Sequence, residues 1–351
     1  MPAQTMMAVA KTRREPGYDY GRFPVPSPAA DQVLLRVERA AICGTDILLY
    51  KWDPVVHGLV DHMPFIPGHE CAGEVVAVGP DARGVAVGAR ACAETHIACG
   101  RCYQCTHGMP HICRNLILFG HQVDGCFAEY AVIPAGSVYV LQSDLPAELA
   151  CMLEPFGVSL RGVQAAEPAG EVLLVNGCGP IGLFAVAAAR LAGARTIIIS
   201  EVNPVRIALA RKMGADVVLD PARADMRDAV LAETGGDGAG CIIEASGAPG
   251  AVPSCLACLR KGGRIIVLGN PKAPVEIANV MRDFMHKELT LKTLHGRLMY
   301  ETWRESEALL SEARLDIRPA ITHTFAMSRI DDAMHAILAG EACKVALDPR
   351  G

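Results

Sequence analysis

The chain has 351 residues, 51% of them hydrophobic and 20% charged, with a formal net charge of −5 and no basic tract. That balance excludes a surface built to neutralise nucleic-acid phosphates, and no apolar run is long enough to span a bilayer. The length predicts two domains, and 34 glycines with 23 prolines predict many turns.

Met1 to Lys11 lacks the apolar core of a signal peptide. With 14 cysteines, the chain reads as cytoplasmic, where thiols stay reduced. The first third reads as a twisted, mostly antiparallel β module. Gln32 to Arg39 alternates around Val33, Leu35 and Val37, and Gly73 to Gly79 reads as a second strand. Ala128 to Ile133 and Ser137 to Leu141 read as two more, separated at Pro134 to Gly136.

Between these strands, Cys99, Cys102, Cys105 and Cys113 stand in a C-x2-C-x2-C-x7-C run. Thiolates so close can converge on one tetrahedral ion with Zn–S bonds of about 2.3 Å. The spacing alone also fits an iron–sulfur cluster. Zinc is the preferred reading, and four thiolates would leave it no open position, so its task would be architectural.

From about residue 151 strands alternate with helices. Val172 to Val175 is a continuous apolar run, as expected of a strand buried on both faces. The helix Ile181 to Leu191 follows, then Thr196 to Ile199, the helix Pro204 to Met213, Val217 to Leu219 and the helix Ala224 to Thr234. Cys241 to Ile243 and Arg264 to Leu268 come next, with a helix between them. This order predicts an α/β fold with a doubly wound parallel sheet. The last segment reads as helix Thr302 to Glu312, strand Ile321 to Phe325, helix Ile330 to Ala339 and strand Lys344 to Leu347. It is expected to return to the first lobe, giving domains at 1–153, 154–297 and 298–351.

Gly177-Cys178-Gly179-Pro180-Ile181-Gly182 matches G-x-G-x-x-G between a predicted strand and a predicted helix. Gly177 permits the tight turn, Gly179 lets backbone approach a pyrophosphate, and Gly182 lets the helix pack on the strand. The helix N-terminus favours phosphate. Glu201, after the second strand, can accept ribose hydroxyls and would repel a 2′-phosphate, which favours NAD. Arg206 can stack on adenine or pair with Glu201. Cys255 and Cys258 repeat C-x2-C inside the predicted helix Val252 to Arg260, and read as helix packing.

Single residues elsewhere are bland alone. Cys43 lies in Ala-Ile-Cys-Gly-Thr-Asp, His69 and Glu70 in Gly-His-Glu, and Glu154 in Leu-Glu-Pro-Phe-Gly. With the cysteine loop, Gly-Cys-Phe-Ala-Glu-Tyr (125–130), Lys-Gly-Gly-Arg-Ile (261–265) and His-Gly-Arg-Leu-Met-Tyr-Glu-Thr-Trp (295–303), the chain resembles the zinc-dependent medium-chain alcohol dehydrogenases from about Val33 to Leu347.

That resemblance implies a Rossmann lobe beside a discontinuous GroES-like lobe, a homotetramer, NAD, and two zinc ions per chain. The catalytic zinc would be held by Cys43 and His69, with Glu70 and Glu154 completing or exchanging at the site. Thr45 would hydrogen-bond the reacting oxygen, and His96 would shape the substrate pocket. Leu268, Gly269, Asn270, Leu294 and His295 would join Gly177, Gly179, Pro180, Ile181, Gly182, Glu201 and Arg206 on the cofactor. The implied substrate is a small secondary alcohol, an amino alcohol or a polyol, oxidised to a ketone by hydride transfer. Neither nucleic acid nor membrane is implied as a partner.

Two positions depart from the family. Leu48 stands where a relay histidine is usual, so either the relay would end at the cofactor ribose and water, or another group such as His57 or His62 would substitute. Arg161 also replaces a histidine, and reads either as an anion contact or as a solvated helix residue.

Overall fold

The structure is a computed structural model that describes residues 4–60 and 62–351. The chain divides into two compact units. The first runs to Glu154 and takes up Leu298–Glu312 and Ile321–Gly351; the second comprises Pro155–Arg297 and Ala313–Ala320. Residues 313–320 therefore depart from the expected return of all of 298–351 to the first lobe. Ile317 and Ala320 are fully buried, and the 3-10 turn Arg318–Ala320 lies against the helices Pro180–Leu191 and Pro204–Lys212. Glu154 likewise closes the first unit instead of opening the second.

The first unit is built on a seven-stranded sheet. Gln32–Ala41 lies centrally, pairing antiparallel with Glu70–Val78, Tyr130–Pro134 and Lys344–Asp348. Arg90–Ala93 and Val138–Val140 extend one side, and Ile321–Ala326 pairs parallel with Lys344–Asp348 on the other. Val33, Leu35 and Val37 all face the core, as their alternation predicts.

Cys43 caps the helix Gly44–Lys51 in an extended conformation. Asp46 in the first turn accepts the Cys43 N–H at 2.8 Å, and Lys51 in the last turn complements the dipole. The thiol of Cys43 is thereby fixed at a helix N-terminus.

The second unit holds a six-stranded, all-parallel sheet. Its order is Val217–Leu219, Thr196–Ser200, Val172–Asn176, Ala239–Glu244, Leu259–Val267 and Thr290–Thr293. This is the doubly wound Rossmann order, with its switch point between Val172–Asn176 and Ala239–Glu244. A Cβ on Gly182 would lie 1.9 Å from the Gly177 carbonyl oxygen, so only glycine lets the helix Pro180–Leu191 approach its strand this closely. Cys255 and Cys258 are buried in the helix Ala251–Cys258, as core residues. Among the described residues no helix is long and apolar enough to cross a membrane.

Candidate metal centre and cofactor site

In the first unit, Cys43, His69 and Glu70 each offer one ligand atom, all within 4.8 Å of one another. His69 and Glu70 sit where the loop Pro67–His69 turns into the strand Glu70–Val78. Gly68 makes that turn at φ +92°, and a Cβ there would lie 2.2 Å from the Phe127 ring.

Glu70 is completely buried. One of its oxygens pairs with the ammonium of Lys344, which also donates to the Ile42 carbonyl at 2.9 Å, while Oε1 has no protein partner. Burial raises the Glu70 carboxyl to about 7; Lys344 opposes this and Glu154 adds to it. Burial pulls His69 down, but Cys43 and Asp46 overcome it and bring the imidazole to about 10. Asp46 Oδ1 lies 3.9 Å from His69 Nδ1, too far for a hydrogen bond but close enough for its charge to act on the ring. A soft sulfur, an imidazole and a carboxylate converge, with His69 Nδ1 and Glu70 Oε1 unpartnered, and this donor set fits a divalent ion such as zinc.

Glu154 lies outside the 4.8 Å set but close enough to act on His69 and Glu70, and Thr95 Oγ1 donates to its carboxylate at 2.7 Å. Thr45 Oγ1 lies 3.9 Å from Cys43 Sγ. Leu48 packs against the apolar core. His57 and His62 are both exposed, and His57 stacks on Trp52, so neither joins the group.

Three features of this site carried no sequence signal. Lys344 is one. Another is Glu94, which accepts the His96 backbone N–H at 2.9 Å and the Trp303 indole N–H at 2.6 Å, with His96 Nδ1 2.6 Å from it. The third is His121, whose ring lies 4.7 Å from that of His69. Burial, the charge of His69 and that of His96 hold His121 down at about 3, against an upward pull from the Phe119 carbonyl.

The four loop cysteines form a second group. Sγ of Cys102 lies 3.5 Å from that of Cys105 and 3.7 Å from that of Cys113. A tetrahedron of 2.3 Å Zn–S bonds has edges of about 3.8 Å. These separations match the edges of a tetrahedron around one ion and are too short for a multi-atom cluster. All 14 cysteines are free thiols. N–H groups of Cys99 and Asn115 point at Cys113 Sγ, each at 3.3 Å. The Arg101 N–H, then Asn115, bring Cys99 down to about 6.

In the second unit a cavity of about 860 Å³ opens at the C-terminal ends of the strands. Gly177, Gly179, Glu201 and Arg206 line it, joined by Ser246 and Lys272, which the sequence reading did not single out. Pro180, Ile181 and Gly182 lie in the helix behind the turn. Leu268, Gly269, Asn270, Leu294 and His295 are not part of the cavity wall; they follow the strands Leu259–Val267 and Thr290–Thr293. Glu201 accepts N–H groups of Cys178 at 2.9 Å, Val202 at 2.8 Å and Asn203 at 3.0 Å, which fixes its carboxylate beside the glycine turn. Arg206 stands 3.9 Å from it. Arg161 donates to the carbonyls of His295 at 2.9 Å and Gly296 at 3.3 Å, so it ties its helix to the segment after Thr290–Thr293.

Comparison with known proteins agrees with this geometry. Residues 29–143 match the alcohol dehydrogenase GroES-like domain, and residues 180–312 match the zinc-binding dehydrogenase family. The chain is 39% identical to an L-threonine 3-dehydrogenase of Bacillus licheniformis over 98% of its own length and 99% of that protein's. It is 37% identical to one of Symbiobacterium thermophilum, over 99% of each. The structure of 2R,3R-butanediol dehydrogenase from Bacillus subtilis superposes with a TM-score of 0.87 at 26% identity, covering 98% of this chain and 99% of that one. The chain belongs to the zinc-dependent medium-chain alcohol dehydrogenases.

Proposed function

We propose that the chain is an L-threonine 3-dehydrogenase, oxidising the secondary hydroxyl of L-threonine to the ketone of 2-amino-3-oxobutanoate with NAD. The convergence of Cys43, His69 and Glu70 carries this reading, in a chain similar from end to end to threonine dehydrogenases. Bound zinc supplies the Lewis acidity that makes a hydroxyl easier to deprotonate, and bound NAD supplies the hydride acceptor.

Cys43 and His69 would anchor the ion. Glu70, held by Lys344, and Glu154, held by Thr95, would complete the donor set or exchange within it. The Thr45 hydroxyl would hydrogen-bond the reacting oxygen and accept its proton while giving up its own to the next group outward. Leu48 cannot pass that proton on, so it leaves by a route that avoids residue 48. His96, fixed by Glu94, would shape the substrate pocket.

In the second unit, the first turn of Pro180–Leu191 would hold the pyrophosphate, and Glu201 the ribose hydroxyls, favouring NAD over NADP. Leu268, Gly269, Asn270, Leu294 and His295 would complete the cofactor site. The loop cysteines would hold a second, structural zinc. We further propose a cytoplasmic homotetramer.

Leu48 and Arg161 favour one alternative, a polyol or sugar-alcohol dehydrogenase on the same fold. A panel followed by NADH absorbance separates the two: L-threonine, its stereoisomers, polyols and simple secondary alcohols. L-threonine should give the highest kcat/KM, with two zinc ions per chain by elemental analysis. A polyol far ahead of L-threonine would replace the first reading by the second.

A further inference from the structure

Glu244 ends the strand Ala239–Glu244 beside the switch point, and neither the metal chemistry nor the cofactor contacts above use it. It is completely buried, and its hydrogen-bond partners are all neutral donors. Burying a carboxylate costs free energy that its donors have to offset. Cys241, Ile242 and Ile243 before it are buried and apolar, and an apolar side chain would continue that run without the cost. Folding alone therefore does not favour glutamate here.

What the carboxylate holds is a turn. Its Oε1 accepts the N–H of Ser246 at 2.8 Å, the N–H of Gly247 at 3.1 Å and the Ser246 hydroxyl. Asn176, at the end of the neighbouring strand, brings its amide to 3.5 Å from both Glu244 Oε1 and Ser246 Oγ. Ser246 lines the cavity of about 860 Å³ together with Gly177 and Gly179. It also presses on the glycine turn, since a Cβ on Gly177 would lie 2.7 Å from Ser246 Cβ. Past Ser246 the chain has little packing to rest on. Ala248, Gly250 and Ala251 line both that cavity and a second one of about 210 Å³, which Glu244 and Gly247 also line. With empty space against it twice over, this turn is placed by its hydrogen bonds to Glu244.

We propose that Glu244 is a positioning residue for the cofactor, holding the Ser246–Gly247 turn against Gly177 so that the glycine turn keeps the shape that receives a pyrophosphate. This rests on the assignment of residues 177–182 to the dinucleotide. The N–H groups at the start of Pro180–Leu191 meet phosphate oxygens only while the chain before them is held in place. Gly177, at φ +92°, has no side chain to anchor it, so its backing comes from Ser246. Cys178 is held separately, by its N–H to Glu201 at 2.9 Å. Two carboxylates thus grip the glycine turn, one directly and one through Ser246. An ionised carboxylate only accepts and takes several donors at once, which suits a place where two N–H groups and a hydroxyl arrive together.

The test titrates NAD, ADP and adenosine into the zinc-loaded protein by calorimetry. Glu244→Met fills the same space without an acceptor oxygen. Its Kd for NAD and for ADP should rise about tenfold or more, the worth of a lost hydrogen bond to a charged group. Adenosine, which has no pyrophosphate, should bind as it does to the parent. Glu244→Gln, which keeps one acceptor oxygen, should restore most of the affinity for ADP. Ser246→Ala breaks one link of the three and should weaken ADP by a smaller factor; it carries the test if Glu244→Met does not fold. An ADP affinity unchanged in the variants that fold, equal losses on ADP and adenosine, or a Glu244→Gln protein as weak as Glu244→Met overturns the proposal. If the parent binds neither NAD nor ADP, the dinucleotide reading beneath it has failed instead.

Discussion

The cysteine loop draws four identical donors from residues 99–113, whereas the group around His69 draws a sulfur, a nitrogen and an oxygen from residues 43, 69 and 70. The loop's sulfurs are steadied by nearby backbone N–H groups. The mixed group leans on buried partners brought from far away, the Lys344 ammonium on Glu70 and the Thr95 hydroxyl on Glu154. Four thiolates fill a tetrahedron and leave an ion nothing to do but hold the chain together. Three unlike donors among buried carboxylates keep a position open to exchange, at the cost of burying charges that folding alone would avoid.

Removing one sulfur from each group tests that division. Cys43→Ser should lower kcat/KM for L-threonine by about a thousandfold or more, several kcal/mol of Lewis-acid assistance, with a melting temperature close to the parent's. Full activity in this variant ends the assignment of the mixed group to catalysis. Cys102→Ser should act first on stability. Elemental analysis should find one zinc fewer per chain, and calorimetry a melting temperature lower by several degrees, because metal binding to such a loop is folding free energy. A Cys102→Ser protein that melts with its parent would show that the loop folds without its ion.

What could be read in advance divides along the same line. The cysteine loop and the glycine turn at 177–182 are local, so spacing alone announces them. The parallel strands were legible where they are buried: Val172–Asn176 and Thr196–Ser200 are runs of apolar residues. Thr290–Thr293 was not, because all four of its residues are exposed and no apolar run marks it. Helix Gly44–Lys51 escaped notice because only Asp46 and Leu49 are buried, too few to print a helical stripe. Cys43, His69 and Glu70 were reached through family resemblance, since each alone is unremarkable. Lys344 on Glu70 and Trp303 on Glu94 are contacts between residues more than two hundred positions apart, and no local pattern encodes them.

Lys344→Met sharpens the contrast by stripping the mixed group of its cation. It leaves the Glu70 carboxylate buried without its partner, which should destabilise the protein by about 3 kcal/mol in chemical denaturation. Adding Glu70→Gln should recover most of that loss, because the unpaired charge and not the missing lysine carries it. A double variant as unstable as the single one would mean that Lys344 matters for packing alone.

The smallest effects come from removing one hydrogen-bond donor on each side. Trp303→Phe deletes the indole N–H that reaches Glu94 at 2.6 Å, while a phenyl ring can keep the stack on Tyr139, now 5.2 Å between centroids. Because Glu94 is completely buried, the loss should be about 1–2 kcal/mol. Because the same carboxylate holds His96, KM for L-threonine should rise with it. Asn115→Ala deletes the amide donor that meets Cys99 Sγ at 3.6 Å on an exposed face. Water can replace that donor, so the change should stay under about 0.5 kcal/mol and leave KM where it was. Equal losses from the two substitutions would mean that the surroundings of His96 are no more demanding than the rim of the cysteine loop, and that buried charge does not set the two groups apart.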